Sequence, residues 1–295
     1  MKTLVLEPGE ARPLGGHVAG VKVGSEQSDD RFCILEALLG VEPAPRLHRH
    51  YRHVESWFVL EGELELVSGN ERILVPAGSF VLIPPGSAHT FANLGPAQVR
   101  MLSVHAPGGL DHFFAELVRL RTGDQGFREV ANLMERYRTM PGDEDEPAEP
   151  PARVLGPGAG EHLAVGGASI SILADAAATG GLFAVVDYTA PPGFPGPPPH
   201  RHRETADIFY VLEGTLAMQV GGEPVTATPG SFVMVAPGTV HTFSNPFDAP
   251  ARFLNVVSPG GFEQYFRELA AAVGDGPVDP AVAGRLIAGY DYDPA

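Results

Sequence analysis

At 295 residues, 44% of them apolar and 19% charged, the chain is long enough for two globular domains and too hydrophobic to be disordered or fibrous. A formal net charge of −16 with no cluster of Lys and Arg excludes a groove for phosphate backbones and disfavours docking on an anionic membrane, so neither nucleic acid nor membrane is an expected partner. No apolar run approaches the ~18 residues of a spanning helix. MKTLVLEPGE meets Glu7 and Pro8 before any signal-like core, and the single cysteine, Cys33, can form no internal disulfide, so the expected compartment is the cytoplasm.

In chain order, an N-terminal arm leads into a β-rich middle. SWFVLEGELELV (56–67) and RILVPAGSFVLIPPG (72–86) are rich in Val, Ile, Leu and Phe, partly alternate, and are punctuated by Gly and Pro, which predicts short strands joined by tight turns. Leu110, Phe113, Phe114, Leu117 and Leu120 then recur at helical spacing and predict an amphipathic helix packed on the β structure. TMPGDEDEPAEPPA (139–152), acidic and Pro-rich, reads as a solvated linker with the domain boundary near Pro147. Beyond it the same plan repeats at an offset of 152 residues. FVLEGELELVSG (58–69) overlays YVLEGTLAMQVG (210–221), PAGSFVLIPPGSAHTFAN (76–93) overlays TPGSFVMVAPGTVHTFSN (228–245), and Phe262, Tyr265, Phe266 and Leu269 form the second helical stripe. The sequence therefore predicts an internal duplication into domains 1–146 and 147–295, all-β with flanking helices.

His48 and His50 are two apart in a β context, so their side chains project from one face of a strand. Glu55 follows within reach of a strand or tight bend, and His89 sits just past the turn-forming PPGSA (84–88), where a reversal returns it to a neighbouring strand. Three imidazoles and a carboxylate suit Fe, Mn, Ni, Co or Cu, and also Zn, whereas Ca and Mg prefer oxygen shells.

His48, His50, Glu55 and Gly62 meet every spacing of H-x-H-x4-E-x6-G, and Gly78, Pro84, Gly86, His89 and Asn93 meet G-x5-P-x-G-x2-H-x3-N. These resemble the two motifs of the cupin superfamily. The resemblance implies two tandem jelly-roll β-barrels, each enclosing a divalent transition metal, one or two ions per chain. In the second half His200, His202 and His241 are retained, but Asp207 stands at the Glu55 position and Ala236 at the Pro84 position. Aspartate is one methylene shorter and falls about 1.5 Å back, so that site either holds no metal or binds one through three imidazoles and a water, through a strand shift that recovers Asp207, or through Glu204.

Trp57 and Phe91 flank the ligands and are expected, with Met101 and Ser103, to line a substrate pocket; Phe209 and Phe243 are their repeat partners. His105 shares strand parity with Met101 and Ser103 and occurs only in the first half, with Val257 as its repeat partner. It is either a lumen residue that orients substrate or relays a proton, or an exposed strand end. Arg52 and His53 are expected to be solvent-exposed, and His17, His112 and His162 to be background. Gly62, Gly78, Gly214 and Gly230 are read as turn residues.

Among two-barrel relatives the chain resembles quercetinase-like dioxygenases, which implies a small enolic or phenolic substrate, O2 as co-substrate, and Glu55 as the catalytic base. A metal-assisted isomerase, epimerase, cyclase or decarboxylase, and a non-catalytic metal or metabolite binder, remain the alternatives. A monomer and a homodimer are equally compatible with the duplication.

Overall fold

The computed structural model describes residues 1–14, 18–41, 45–121, 127–142, 150–274 and 276–295. It divides into two compact units, one made of Ala11–Gly158 and the other of Met1–Glu10 with Ala159–Ala295. Each is a pair of antiparallel sheets with helices, the tandem jelly-roll architecture of two cupin domains.

In the Ala11–Gly158 unit the larger sheet has the order Arg153–Leu155, Phe80–Ile83, Val54–Glu61, Val99–Ala106, Cys33–Leu39, Val18–Val23. The smaller has the order Thr139–Pro141, His48–His50, His89–Ala92, Glu63–Ser68, Glu71–Pro76. Alternation sets which side chains enter the barrel. In Glu63–Ser68, Leu64 and Leu66 are buried while Glu63 is exposed, and a two-residue turn at Gly69 and Asn70 pairs Ser68 with Glu71. Val54–Glu61 lies between Phe80–Ile83 and Val99–Ala106, so its inward residues Glu55, Trp57 and Val59 face His105, Ser103 and Met101 directly across the ladder. The motif glycine Gly62 has φ 80°, and a Cβ there would lie 2.7 Å from the Gln98 carbonyl; a side chain is excluded by sterics as well as by backbone conformation.

The second unit repeats the plan. Its larger sheet has the order Leu4–Leu6, Phe232–Val235, Ala206–Glu213, Ala251–Ser258, Ala184–Ala190, Ala168–Ala174, Glu161–Val165. Its smaller sheet is Glu223–Ala227, Leu216–Val220, His241–Ser244, His200–Arg201, Asp293–Pro294.

The compact units differ from a division into 1–146 and 147–295 by two exchanged strands. Leu4–Leu6 pairs with Phe232–Met234 of the later half, and Arg153–Leu155 pairs with Phe80–Leu82 of the earlier one. Each carries the same VL-x-PG sequence, at 5–9 and 154–158, and each seats its proline against a motif glycine: Pro8 lies beside Gly230 and Pro157 beside Gly78. The expected boundary at Pro147 lies outside the described residues. The start of the expected linker is not a linker, because Thr139–Pro141 is a strand hydrogen-bonded to His48–His50.

The helical stripes pack within their own units. Leu110 and Phe113 of the Leu110–Arg121 helix bury against Cys33 and against Leu133 of the Phe127–Arg136 helix. Phe266 and Leu269 of the Glu263–Val273 helix join the core of the second barrel. Among the described residues no helix is long and apolar enough to cross a membrane.

Candidate metal centre

Strand register brings the first set of candidate ligands together. His48 pairs with His89 between neighbouring strands, and His48 and His50 alternate onto the same face. The imidazole nitrogens of His48, His50 and His89 lie within 4.8 Å of one another. Each ring is oriented from behind: Nδ1 of His48 contacts the Arg46 carbonyl at 2.8 Å, Nδ1 of His89 the Ser87 carbonyl at 3.0 Å, and Nδ1 of His50 the Thr139 hydroxyl at 2.8 Å. With Nδ1 occupied, Nε2 of each ring faces the common point. Glu55 Oε1 approaches His50 Nε2 at 3.1 Å and His89 Nε2 at 3.7 Å.

Two buried atoms at this point, His89 Nε2 and Glu55 Oε1, have no hydrogen-bond partner. Orphaned polar atoms in a barrel core cost about 1–3 kcal/mol each, and a cation bound by the four side chains would satisfy both. The residues therefore fit a divalent transition metal. Protonation states agree with this. Burial holds His48 down to about 4 and His50 well below its ordinary value, leaving neutral imidazoles. Burial alone would push Glu55 up, but His50, His105 and His89 outweigh it and hold the carboxyl well below its usual range.

The second set is similar but more closed. His200, His202 and His241 converge within 4.8 Å. Nδ1 of His200 contacts the Pro198 carbonyl at 2.9 Å, that of His241 the Thr239 carbonyl at 3.1 Å, and that of His202 the Asp291 carbonyl. Asp207 does reach the imidazoles: Oδ2 is 3.2 Å from His241 Nε2 and 4.0 Å from His202 Nε2. Its other oxygen accepts from Asn255. Burial opposes the charge on both members of the His241–Asp207 pair, yet their contact raises the His241 pKa and lowers that of Asp207. Glu204 is exposed.

The returning strands after the helices were missed by sequence reasoning. Their signal is a second short repeat, Tyr-x-x-x-Pro at 137–141 and 290–294, which places Thr139 beside His50 in one unit and stacks Tyr292 on His200 in the other, 4.5 Å between centroids. Asp291 anchors the latter strand by accepting the backbone N–H groups of Arg203, Glu204 and Thr205. Burial works against its charge, but those donors bring its pKa from 3.8 down to about 2. A depressed carboxylate contributes stability that is present above its unfolded pKa and lost as pH falls toward the folded one. Asp291→Asn is thus expected to cost on the order of 1 kcal/mol at pH 7, discounted for partial exposure, and to flatten the acid limb between pH 4 and 2. Denaturant titrations of both proteins across that range test this.

The expected pocket residues share the inner face with Glu55. Trp57 lies 5.8 Å from His89 and 5.1 Å from Phe91 between ring centroids, and Met101 belongs to the same core cluster. His105 is 3% exposed, not a free strand end; its Nδ1 is 3.5 Å from Glu55 Oε2 and its Nε2 is 2.9 Å from Ser103 Oγ. His53 corrects the sequence reading. It is 2% exposed, with its ring 6.2 Å from that of His50 and Nε2 3.4 Å from the Gly108 carbonyl. The HRHYRHVE segment leaves its sheet after His50 and turns back at His53, which directs that ring inward while Tyr51 and Arg52 stay exposed. His112 is half-buried beside Asp111, His162 bonds Ser171 at 2.8 Å, and His17 lies outside the described residues.

The two barrels differ most below the ligands. Register equates Ala37 with Tyr188 and Met101 with Phe253. In the second barrel Tyr188, Phe209, Phe243 and Phe253 form one aromatic cluster with centroid separations of 5.0 to 5.7 Å. In the first the corresponding positions are Ala37, Trp57, Phe91 and Met101.

Comparison with known proteins agrees with this architecture. The Cupin domain family matches residues 37–105 and 186–257. Quercetin 2,3-dioxygenase of Bacillus subtilis (strain 168) is 29% identical over 287 residues, covering 88% of this chain and 83% of the relative. Among solved structures, a single-residue variant of the oxalate decarboxylase of Bacillus subtilis superposes with TM-score 0.52 at 18% identity, covering 81% of this chain and 72% of its own. The E. coli protein Ylba superposes with TM-score 0.58 at 10% identity, covering 86% and 89%. Two motif-bearing barrels, each with a convergent histidine cluster, and two matches to the Cupin domain family show a chain of two tandem cupin domains, similar along most of its length to a quercetin 2,3-dioxygenase.

Proposed function

We propose that the chain is a metal-dependent dioxygenase that acts on a small enolic or phenolic substrate in its first barrel. The observation that carries this is the asymmetry of the lumens: Ala37 and Met101 of the first barrel are smaller than Tyr188 and Phe253, which stand at the matching positions of the other and stack on each other. Similarity to a quercetin dioxygenase supports the reaction class and the phenolic substrate. A redox-active ion such as Fe, Mn, Ni, Co or Cu, held by the four ligands, would supply Lewis acidity and electron transfer to O2.

The chain's own residues supply the rest. Glu55 is ionised at neutral pH and in the lumen, so it can accept the proton of a substrate hydroxyl. Trp57 and Phe91 offer apolar ring faces for an aromatic substrate, and Met101 an adaptable apolar contact. The buried strand faces around Glu55 keep bulk water from the transferred proton.

Oxygen consumption measured with quercetin as the probe, on protein of known metal content, tests the reading. One O2 consumed per substrate is expected. Turnover that persists anaerobically would replace it with a metal-assisted decarboxylase or isomerase, and bound metal with no turnover and no exchangeable coordination position would indicate a binding protein.

A further inference from the structure

A buried carboxylate has two oxygens, and only one of them faces the imidazole cluster. In the first barrel Glu55 Oε1 takes that role, while Glu55 lies in the ladder between Ile83 on one side and His105 on the other. Ile83 offers no donor. Among the described residues whose contacts to Oε2 are seen, His105 Nδ1 at 3.5 Å is the polar neighbour. His105 is itself held, because its Nε2 contacts Ser103 Oγ at 2.9 Å. Ser103 Oγ has one proton and lies 2.9 Å from Nε2 and 3.4 Å from the Leu35 carbonyl; with that proton on the shorter contact, the ring carries its own proton on Nδ1, an atom with no hydrogen-bond partner that sits 3.5 Å from Glu55 Oε2. The second barrel meets the same need differently. Asp207 lies between Val235 and Val257, and the donor to its second oxygen is Asn255, the register equivalent of Ser103. One unit thus places a direct amide donor where the other places a serine that fixes a histidine.

We propose that His105, fixed by Ser103, is a positioning residue that sets the rotamer of Glu55, so that the first barrel presents a four-ligand centre. This rests on the reading of the first barrel as the reactive one, but concerns how the carboxylate is held rather than which reaction follows. Directly opposite antiparallel partners keep their Cβ atoms about 4.5–5.5 Å apart, so the ring cannot leave Glu55 without leaving the barrel. Without it, Oε2 would lose this polar neighbour, and the carboxylate would rotate toward another donor or water, withdrawing Oε1 from the cluster.

The test uses the full chain with His241→Ala to silence the second cluster, and Co2+ alone as the probe, read by visible absorption and by competition with a chelator. His105→Leu removes both nitrogens at similar bulk, whereas His105→Asn retains an amide donor near the Nδ1 position. The expected result is roughly a 10- to 100-fold loss of Co2+ affinity in His105→Leu, with an altered ligand-field spectrum, and recovery of most of both in His105→Asn. Equal affinity and an unchanged spectrum in His105→Leu would overturn the proposal. So would equal losses in both variants, which would mean that the ring matters for packing and not as a donor; thermal unfolding of each variant separates misfolding from either outcome. Because no substrate or O2 enters this experiment, failure of the dioxygenase reading would leave its result unchanged.

Discussion

Replacing Glu55 with Gln is expected to lower turnover by roughly two to four orders of magnitude, the range for loss of a positioned general base, and to reduce bound metal by one equivalent per chain. Both effects have the same origin. Glu55 Oε1 sits 3.1 Å from His50 Nε2 at the point where the imidazoles converge. Glutamine has one oxygen in place of two and no charge, and its NH2 would be drawn to the neutral Nε2 atoms, occupying the lone pairs a metal needs. Metal content by plasma emission on wild type, Glu55→Gln and Asp207→Ala separates the barrels. An equivalent lost only in Glu55→Gln assigns occupancy to the first, a further equivalent lost in Asp207→Ala adds the second, and unchanged content and rate in Glu55→Gln would remove this residue from the chemistry.

The second large effect concerns space. Ala37→Tyr combined with Met101→Phe brings two lumen side chains of the second barrel into the first, and should raise KM for an aromatic substrate on the order of 100-fold, since even one methylene of pocket shape discriminates by 10-fold or more, while bound metal stays at the wild-type level. The fold is expected to survive, since the second barrel carries these side chains on the same strands in the same register. Overpacking of this kind costs about 1–3 kcal/mol, and a thermal scan checks that the loss of binding is not loss of structure. The reverse exchange, Tyr188→Ala with Phe253→Met, removes a ring stacked at 5.0 Å from another and should cost about 3–5 kcal/mol in the second unit. Unchanged KM in the first variant would mean that substrate does not use the space above Ala37.

The duplication and the clustering of the motif histidines were legible because they are carried by alternating strands and by spacings that strand geometry fixes. His48 and His50 must share a face whatever the rest of the chain does. Asp207 was harder: the shorter side chain suggested a lost ligand, but the strand holds it 3.2 Å from His241, a matter of backbone placement that residue type does not encode. His53 and Thr139 were not legible for another reason. Inward orientation of a loop histidine depends on where the chain leaves its sheet, and a three-residue strand such as Thr139–Pro141 is too short for any periodicity to show. The short repeats at 5–9 and 137–141 were hidden by a change of offset. They recur after 149 and 153 residues instead of 152, because the loops between them differ in length, so a single sliding register passes over them. The lumen asymmetry required pairing Ala37 with Tyr188, which only the ladder register supplies.

The exchanged strands also fix an order of events during synthesis. Leu4–Leu6 is made about 230 residues before its partners Phe232–Met234. At ~5–20 residues per second that segment waits roughly ten to fifty seconds for its place in the sheet. Arg153–Leu155 has no such delay, because Phe80–Leu82 is already made when it emerges. The barrel containing Glu55 can therefore close while the ribosome is still translating the second half, whereas the other must wait for its last strands before it can recruit a strand made long before them.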